Sequence, residues 1–234
     1  MKLSIVLPCY NESANLPHLL AAYAAVITRT DIEVILVNNG STDTSAAVLT
    51  ELAPQYSQFL RIVHIPSNQG YGFGILSGLR AATGEYIGWT HGDLQTPPAD
   101  VIRGLDIIEM SATPHTLYVK GTRVGRPLFD RFFTFGMGVF ETLYLRSWLY
   151  DINAQPNIFH RNFFTTWDNP PYDFSFDLYV LYTAKKANLQ VIRFFVPFLA
   201  RQHGHSSWNT GLTSKWKFIK RTITFSLELK KRLK

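Results

Sequence analysis

Apolar and polar positions follow two rhythms along the first half of the chain. Residues 3–7 form a short apolar run that stops at Pro8, the pattern of a buried strand. Helix-start residues at Asn11, Glu12 and Ser13 precede an apolar-periodic stretch over 14–27. A second apolar run, 32–37, ends in Asn38-Asn39-Gly40-Ser41, a turn that also offers an N-cap to a helix over 42–52. Residues 61–65 give a third strand, 70–82 a Gly-rich turn and a helix, and 85–90 a fourth strand. A helix over 98–110 opens on Pro97-Pro98, and 116–121 gives a fifth strand. The second half is less regular. Residues 126–150 are rich in Phe, Leu and Trp with few charges, and 151–161 is a short strand region. A helix follows over 172–188, a strand over 190–196 and a polar loop over 201–213. Residues 213–234 place Trp216, Ile219, Ile223 and Leu227 at helical spacing.

Strands alternating with helices imply right-handed crossovers and an α/β fold, a Rossmann-like, mostly parallel sheet flanked by helices. Ligands of such sheets bind outside the carboxyl ends of the strands. The polar clusters fall there: Pro8-Tyr10-Glu12 after the first strand, Asn38-Asn39 after the second, Asn68-Gln69-Gly70 after the third and His91–Gln95 after the fourth. Four strand ends thus converge on one crevice.

Composition narrows the class. The chain has 234 residues, 46% hydrophobic and 17% charged, enough for one large core and too apolar for disorder. Cys9, the only cysteine, excludes an internal disulfide and a multi-cysteine metal site, and fits a reducing, cytoplasmic setting. The first ten residues lack the basic and long apolar regions of a signal peptide, and no apolar run reaches the length of a membrane span. The net charge is +6, yet residues 215–234 alone carry +7, which leaves the rest near −1. A basic tail on a neutral body argues against nucleic-acid binding and for docking at a surface. The division expected is a catalytic domain over 1–212 and a basic amphipathic helix over 213–234.

Asp93 at a strand end, with the side-chain carbonyl of Gln95 two residues on, suits a hard divalent cation that completes its shell with phosphate oxygens. Such a cation neutralises a diphosphate leaving group. The alternative is that Asp93 caps its own turn. Glu12 and Asn39 are placed to bond a ribose or base, and Tyr10 to pack on one, with capping as the competing role. Gly70, Gly72 and Gly74 lack dinucleotide-motif spacing and read as a turn with close helix packing. Cys9 has no nearby activating base and reads as core; His203 and His205 lie in the late loop.

Together, Pro8-Cys9-Tyr10-Asn11-Glu12, the segment Val37-Asn38-Asn39-Gly40-Ser41-Thr42-Asp43 and the segment from His91 to Pro98 resemble the family 2 glycosyltransferases of GT-A fold. Within that family the likeness is to the dolichol-phosphate mannose synthase group and its bacterial polyprenyl-phosphate relatives. The resemblance implies inverting transfer from a nucleoside-diphosphate sugar, with Mg²⁺ or Mn²⁺, to a lipid phosphate. By position, it implies Pro8, Tyr10, Glu12, Val37 and Asn39 at the nucleoside, and His91, Gly92 and Asp93 at the diphosphate. It also implies Asp93 and Gln95 at the metal, Arg123 and Arg131 at the acceptor phosphate, and Arg201 on the donor diphosphate. Three departures stand out. Asn38-Asn39 replaces the usual Asp-Asp, which leaves the base open between GDP and UDP. His91 replaces the first Asp of the DxD motif, which leaves one carboxylate for the metal. Ser207 stands where a basic residue often follows.

Bacterial members of that group often carry transmembrane helices after the catalytic domain. Here the tail instead has a basic amphipathic pattern suited to an anionic membrane face, with a second apolar surface at Phe132, Phe133, Phe135, Met137, Phe140, Leu143 and Trp148. The expected location is peripheral, at the inner face of the cell membrane. Two other readings remain. One extends a surface glycan at a sugar hydroxyl, with Asp151 or Asp177 as base. The other is a weakly active nucleotide-sugar-binding scaffold.

Overall fold

The computed structural model describes residues 1–199 and 212–232. The strands are β1 (Leu3–Cys9), β2 (Ile32–Asn39), β3 (Leu60–Ile65), β4 (Tyr86–Trp89), β5 (Leu117–Val124), β6 (Asn157–His160) and β7 (Gln190–Pro197). The helices are α1 (Leu16–Val26), α2 (Ser45–Leu52), α3 (Tyr71–Ala81), α4 (Ala99–Glu109), α5 (Leu128–Leu145), α6 (Arg161–Phe164), α7 (Phe176–Lys186) and α8 (Leu212–Arg232). The strands form one seven-stranded sheet in the order β3-β2-β1-β4-β6-β5-β7, flanked by the helices.

The first four strands are parallel, as the alternating pattern requires. β1 and β2 are buried on both faces and read as continuous apolar runs for that reason. One face, through Val6, Ile35, Val37, Ile87 and Trp89, packs on α3 and α7; the other, through Leu3, Ile5, Leu7, Val34 and Leu36, packs on α1 and α4. β6 runs antiparallel to both β4 and β5, so the sheet is mixed on this side.

Several boundaries differ from the pattern; α7, for one, begins at Phe176 rather than at residue 172. α2 begins at Ser45 rather than at residue 42, because Ser41, Thr42 and Asp43 are bonded across to the β1 loop. The Phe-rich segment is a continuous 18-residue helix, α5, hidden in the sequence because apolar residues lie on its exposed face as well. Among the described residues, no helix is long and apolar enough to cross a membrane.

Candidate functional site

The crevice expected at the strand ends is stitched together by short polar bonds. Asn11, in the left-handed region at φ 55°, accepts from Thr42 N–H at 2.8 Å and donates its own N–H to Ser41 Oγ at 3.0 Å. Glu12 N–H donates to Ser45 Oγ at 3.0 Å, and Glu12 itself is buried. These bonds lock the loops after β1 and β2 into one wall. Tyr10 and Pro8 stay half-exposed on it. Val37 does not: its side chain is fully buried, packed against Gly78 of α3, where an added Cβ would lie 2.9 Å from Val37 Cγ2.

Both asparagines of β2 are committed as amides. Asn39 Nδ2 donates to the Gly70 carbonyl at 2.9 Å, while its Oδ1 is buried with no hydrogen-bond partner. Asn38 Oδ1 accepts from Ser41 N–H at 3.2 Å, and its Nδ2 lies 3.5 Å from His64 Nδ1. A carboxylate could make neither donation, which gives the Asn-Asn departure a structural reason.

The turn after β4 is anchored from three sides. Asn15 Nδ2 donates to the Gly92 carbonyl at 2.9 Å. Gly92 sits so close to the β1 end that a Cβ would meet Cys9 Sγ at 2.7 Å and the Pro8 carbonyl oxygen at 2.9 Å. Asp93 Oδ1 accepts from Gln95 N–H at 3.1 Å, with Leu94 between them at φ 58°. Asp93 therefore does cap its turn, and only 7% of it is exposed. Capping and ligation are compatible, since one oxygen orients the carboxylate. Gln95 Nε2 donates to the Leu199 carbonyl at 3.3 Å, and the Gln95 carbonyl accepts from Leu199 N–H at 2.8 Å. Asp93 and the Gln95 side-chain oxygen are both hard oxygen donors, one of them a carboxylate, and so fit a cation such as Mg²⁺ or Mn²⁺ whose shell phosphate oxygens complete.

Beyond the turn lies a cavity of about 540 Å³, lined in part by Arg123, Arg126, Arg131, Phe132, Phe135 and Asp151. Phe198 stands between turn and cavity. Its ring meets His91 edge-on at 5.8 Å, and the Arg123 and Arg126 guanidinium carbons lie 5.5 and 5.8 Å from its centroid. Arg123 and Arg131, expected together, share this cavity. Arg123 is tied to Asp151, which accepts from Arg123 Nε at 2.9 Å and from its N–H at 2.8 Å. Burial pushes the Asp151 carboxyl up, but the Arg123 charge and these bonds outweigh it and hold the group below its ordinary value. Asp177 is buried behind the site and accepts from the Trp89 indole N–H at 3.2 Å; burial pushes its carboxyl up. Arg201, His203, His205 and Ser207 lie outside the described residues.

Three residues escaped the sequence reading. Phe198 and Arg126 carried no motif, though Arg126 stands three positions after Arg123. Lys120 did carry a signal, a lone cation in an apolar strand. It is fully buried, donating to the Ala154 carbonyl at 2.5 Å and to Asn157 Oδ1 at 2.7 Å, and burial pulls its ammonium down to about 7.

With this geometry in place, comparison with known proteins fixes the class. Residues 4–177 match the model of glycosyl transferase family 2, and the chain belongs to that family. It is 36% identical over 108 residues to an undecaprenyl-phosphate 4-deoxy-4-formamido-L-arabinose transferase of Sodalis glossinidius, covering 45% of this chain and 33% of that one. A protein of the same description in Klebsiella pneumoniae is 37% identical over 105 residues, covering 44% and 32%. The matched stretch thus spans about a third of these relatives' length. Among solved structures, the fold is similar to glucosyl-3-phosphoglycerate synthase from Mycobacterium tuberculosis in complex with Mn²⁺ and UDP, with a TM-score of 0.71 at 16% identity, covering 97% of this chain and 78% of that one. A mannosyltransferase from Pyrobaculum calidifontis with GDP-Man and Mn²⁺ gives a TM-score of 0.65 at 18% identity, covering 88% and 59%. The sheet is thus that of the GT-A glycosyltransferases.

Proposed function

We propose that this chain transfers a sugar, with inversion, from a nucleoside-diphosphate sugar to the phosphate of a polyprenyl-phosphate-type lipid at the inner face of a membrane. The observation that carries the reading is the cavity lined by both arginines and apolar side chains, one aromatic ring away from the turn at Asp93. An anionic head on an apolar chain matches that lining. The undecaprenyl-phosphate transferases among the relatives support it.

In this reading the nucleoside lies along Pro8, Tyr10 and Glu12. The Asn39 Oδ1 acceptor suits a base with a ring N–H, as uracil and guanine have. Val37 contributes backbone, since its side chain is core. His91 and Gly92 line the diphosphate, and Arg201 reaches it from the late loop. A divalent cation held by Asp93 and the Gln95 side-chain oxygen supplies charge neutralisation at that diphosphate. Arg126 and Arg131 hold the acceptor phosphate, with Arg123 oriented by Asp151. A phosphate oxygen bonds to the anomeric carbon as the carbon–diphosphate bond breaks, and the nucleoside diphosphate leaves. The attacking oxygen is already anionic, so no base is needed. This agrees with Asp151 being occupied by Arg123 and Asp177 being buried.

The test pairs donor and acceptor screens. UDP and GDP, with Mn²⁺ or Mg²⁺, should raise the melting temperature where ADP and CDP do not. Undecaprenyl phosphate should be glycosylated, and Arg131→Ala should cut kcat/KM by about 10- to 100-fold, the worth of a charge-assisted phosphate contact. Turnover on a free glycan with no use of lipid phosphate would replace this reading with glycan extension.

A further inference from the structure

A second cluster of metal-ligating side chains lies at the opposite end of the strands from Asp93. Glu85 precedes β4, His160 ends β6, and His115 sits in the short turn that leads into β5. Each offers one ligand atom, and these atoms all fall within 4.8 Å of one another. We propose that Glu85, His115 and His160 form a binding site for a borderline transition-metal dication, Zn²⁺ above all, separate from the donor site.

The chemistry of the set selects the metal. Two imidazoles and a carboxylate suit Zn²⁺ and its neighbours in the transition series, whereas Mg²⁺ and Ca²⁺ take oxygen ligands. Three protein ligands leave a position for water or a further ligand. The framework is rigid where it needs to be. Tyr86 and His160 are directly paired across β4 and β6, and Arg161 N–H donates to the Glu85 carbonyl at 3.0 Å. The Arg161 guanidinium also holds the carbonyls of Gly84 and Ala82, each at 2.8 Å. Two of the three ligands are thereby fixed by sheet pairing.

The outer partners are also present. Lys2 Nζ bonds Glu85 Oε2 at 3.0 Å, while Oε1 faces His115 Nδ1 at 3.9 Å. A carboxylate held through one oxygen can give the other to a metal. The two imidazole rings lie 4.4 Å apart at 79°, so they do not stack against each other. Zn–ligand bonds near 2.1 Å set tetrahedral ligand atoms about 3.4 Å apart, so the set closes by at most about 1.4 Å on binding. The movable member is His115, whose side chain is 61% exposed. Two weak contacts compete: Tyr86 Oη lies 3.3 Å from His115 Nδ1, and Asn162 N–H donates to His160 Nδ1 at 3.3 Å. Coordination through His160 Nε2 places the proton on Nδ1, so the Asn162 bond is exchanged for the metal bond.

The experiment is Zn²⁺ binding by the full chain, read by competition with a chromophoric chelator and without any sugar donor. The expected result is one Zn²⁺ bound at micromolar or tighter affinity, undisplaced by millimolar Mg²⁺ and unchanged in Asp93→Ala. Replacing either ligand, as His115→Ala or His160→Asn, should weaken it at least ten-fold. His115 is exposed, so its variant decides the matter even if the His160 variant fails to fold. No uptake by the native chain, uptake that His115→Ala leaves unchanged, or uptake lost in Asp93→Ala would each overturn the site.

Discussion

At the scale of single residues, Asn39 shows how a departure from a familiar motif is built into the packing. Its amide N–H donates to the Gly70 carbonyl, and Gly74 approaches so closely that a Cβ would lie 3.1 Å from that nitrogen. Asn39→Asp would turn a carboxylate oxygen towards a carbonyl oxygen in a buried place. The expected cost is about 1–3 kcal/mol of folding stability, that of an unsatisfied buried polar group. Denaturant unfolding at neutral pH measures it. The penalty should shrink in acid, where the introduced carboxyl is protonated and donates again. An unaltered midpoint would show that the amide bond to Gly70 is dispensable. Gly92 is the complementary case: Gly92→Ala forces a methyl against Cys9 Sγ and the Pro8 carbonyl, so it should displace the turn that carries Asp93 and weaken nucleotide-induced stabilisation.

At the scale of elements, the docking of α8 on α5 rests on a buried acid. Glu141 is fully buried, and Ser226 donates to its Oε2 at 2.6 Å. Lys230 Nζ bonds the Tyr144 carbonyl at 2.8 Å one turn further along, and Arg221 pairs with Asp173 at 3.3 Å. Burial pushes the Glu141 carboxyl up to about 7 from an unfolded value of 4.5. Between those values the native state holds a proton that the unfolded state has lost. Stability is therefore lost as pH rises through that window, by about 1.4 kcal/mol for each pH step within it. Hydrogen exchange in α8 should be slower at pH 5.5 than at pH 8, once corrected for the intrinsic exchange rate, and Glu141→Gln should remove most of the difference. Equal protection at both pH values in the native chain would refute the role. This contact was not legible in the sequence. The tail's apolar spacing singled out Trp216, Ile219, Ile223 and Leu227. Yet Ile219 and Ile223 are half-buried, Leu227 is exposed, and the Trp216 side chain lies outside the described residues. Thr222, Phe225, Ser226 and Leu229 make the buried stripe instead, because two hydroxyl residues serve as packing groups there. The strands and helices up to β5 were legible, since burial on both sheet faces leaves unbroken apolar runs. β6 was legible only as a strand region over 151–161, without its four-residue extent or its antiparallel direction, and the doubly apolar α5 was not legible as a helix. The turn at Asp93 was legible at a strand end, but Phe198 was not, because its position against His91, Arg123 and Arg126 arises from three segments meeting in space.

At the scale of the whole molecule, the exposed apolar surface and the basic tail lie on neighbouring elements. Leu128, Phe132, Phe135, Val139 and Leu143 form a stripe along α5 that faces away from α8, with Phe132 77% and Leu143 74% exposed. Of the apolar surface expected there, Met137 and Phe140 turn inward to half-buried positions, and Phe140 stacks on Tyr144 at 5.8 Å. The Phe133 side chain lies outside the described residues. The exposed residues form one continuous stripe along the helix rather than singly scattered apolar exposure. Leu128, Phe132 and Phe135 also line the arginine cavity, so seating the stripe in a bilayer interface would open the cavity towards lipid headgroups. In the proposed docking, residues 215–234, at +7, would supply attraction to anionic lipid at roughly 1 kcal/mol per basic residue near the surface. The two contributions separate by salt, because the apolar one is insensitive to screening. The chain should co-sediment with phosphatidylglycerol vesicles at low ionic strength, and half a molar salt should release most of it. Phe132→Ser with Leu143→Ser should weaken binding at every salt concentration, whereas Lys220→Gln with Lys231→Gln, at exposed positions of α8 away from its packed stripe, should reduce only the salt-sensitive part. Equal recovery in the supernatant with and without vesicles would reject membrane docking, and the acceptor would then have to reach the arginines from solution.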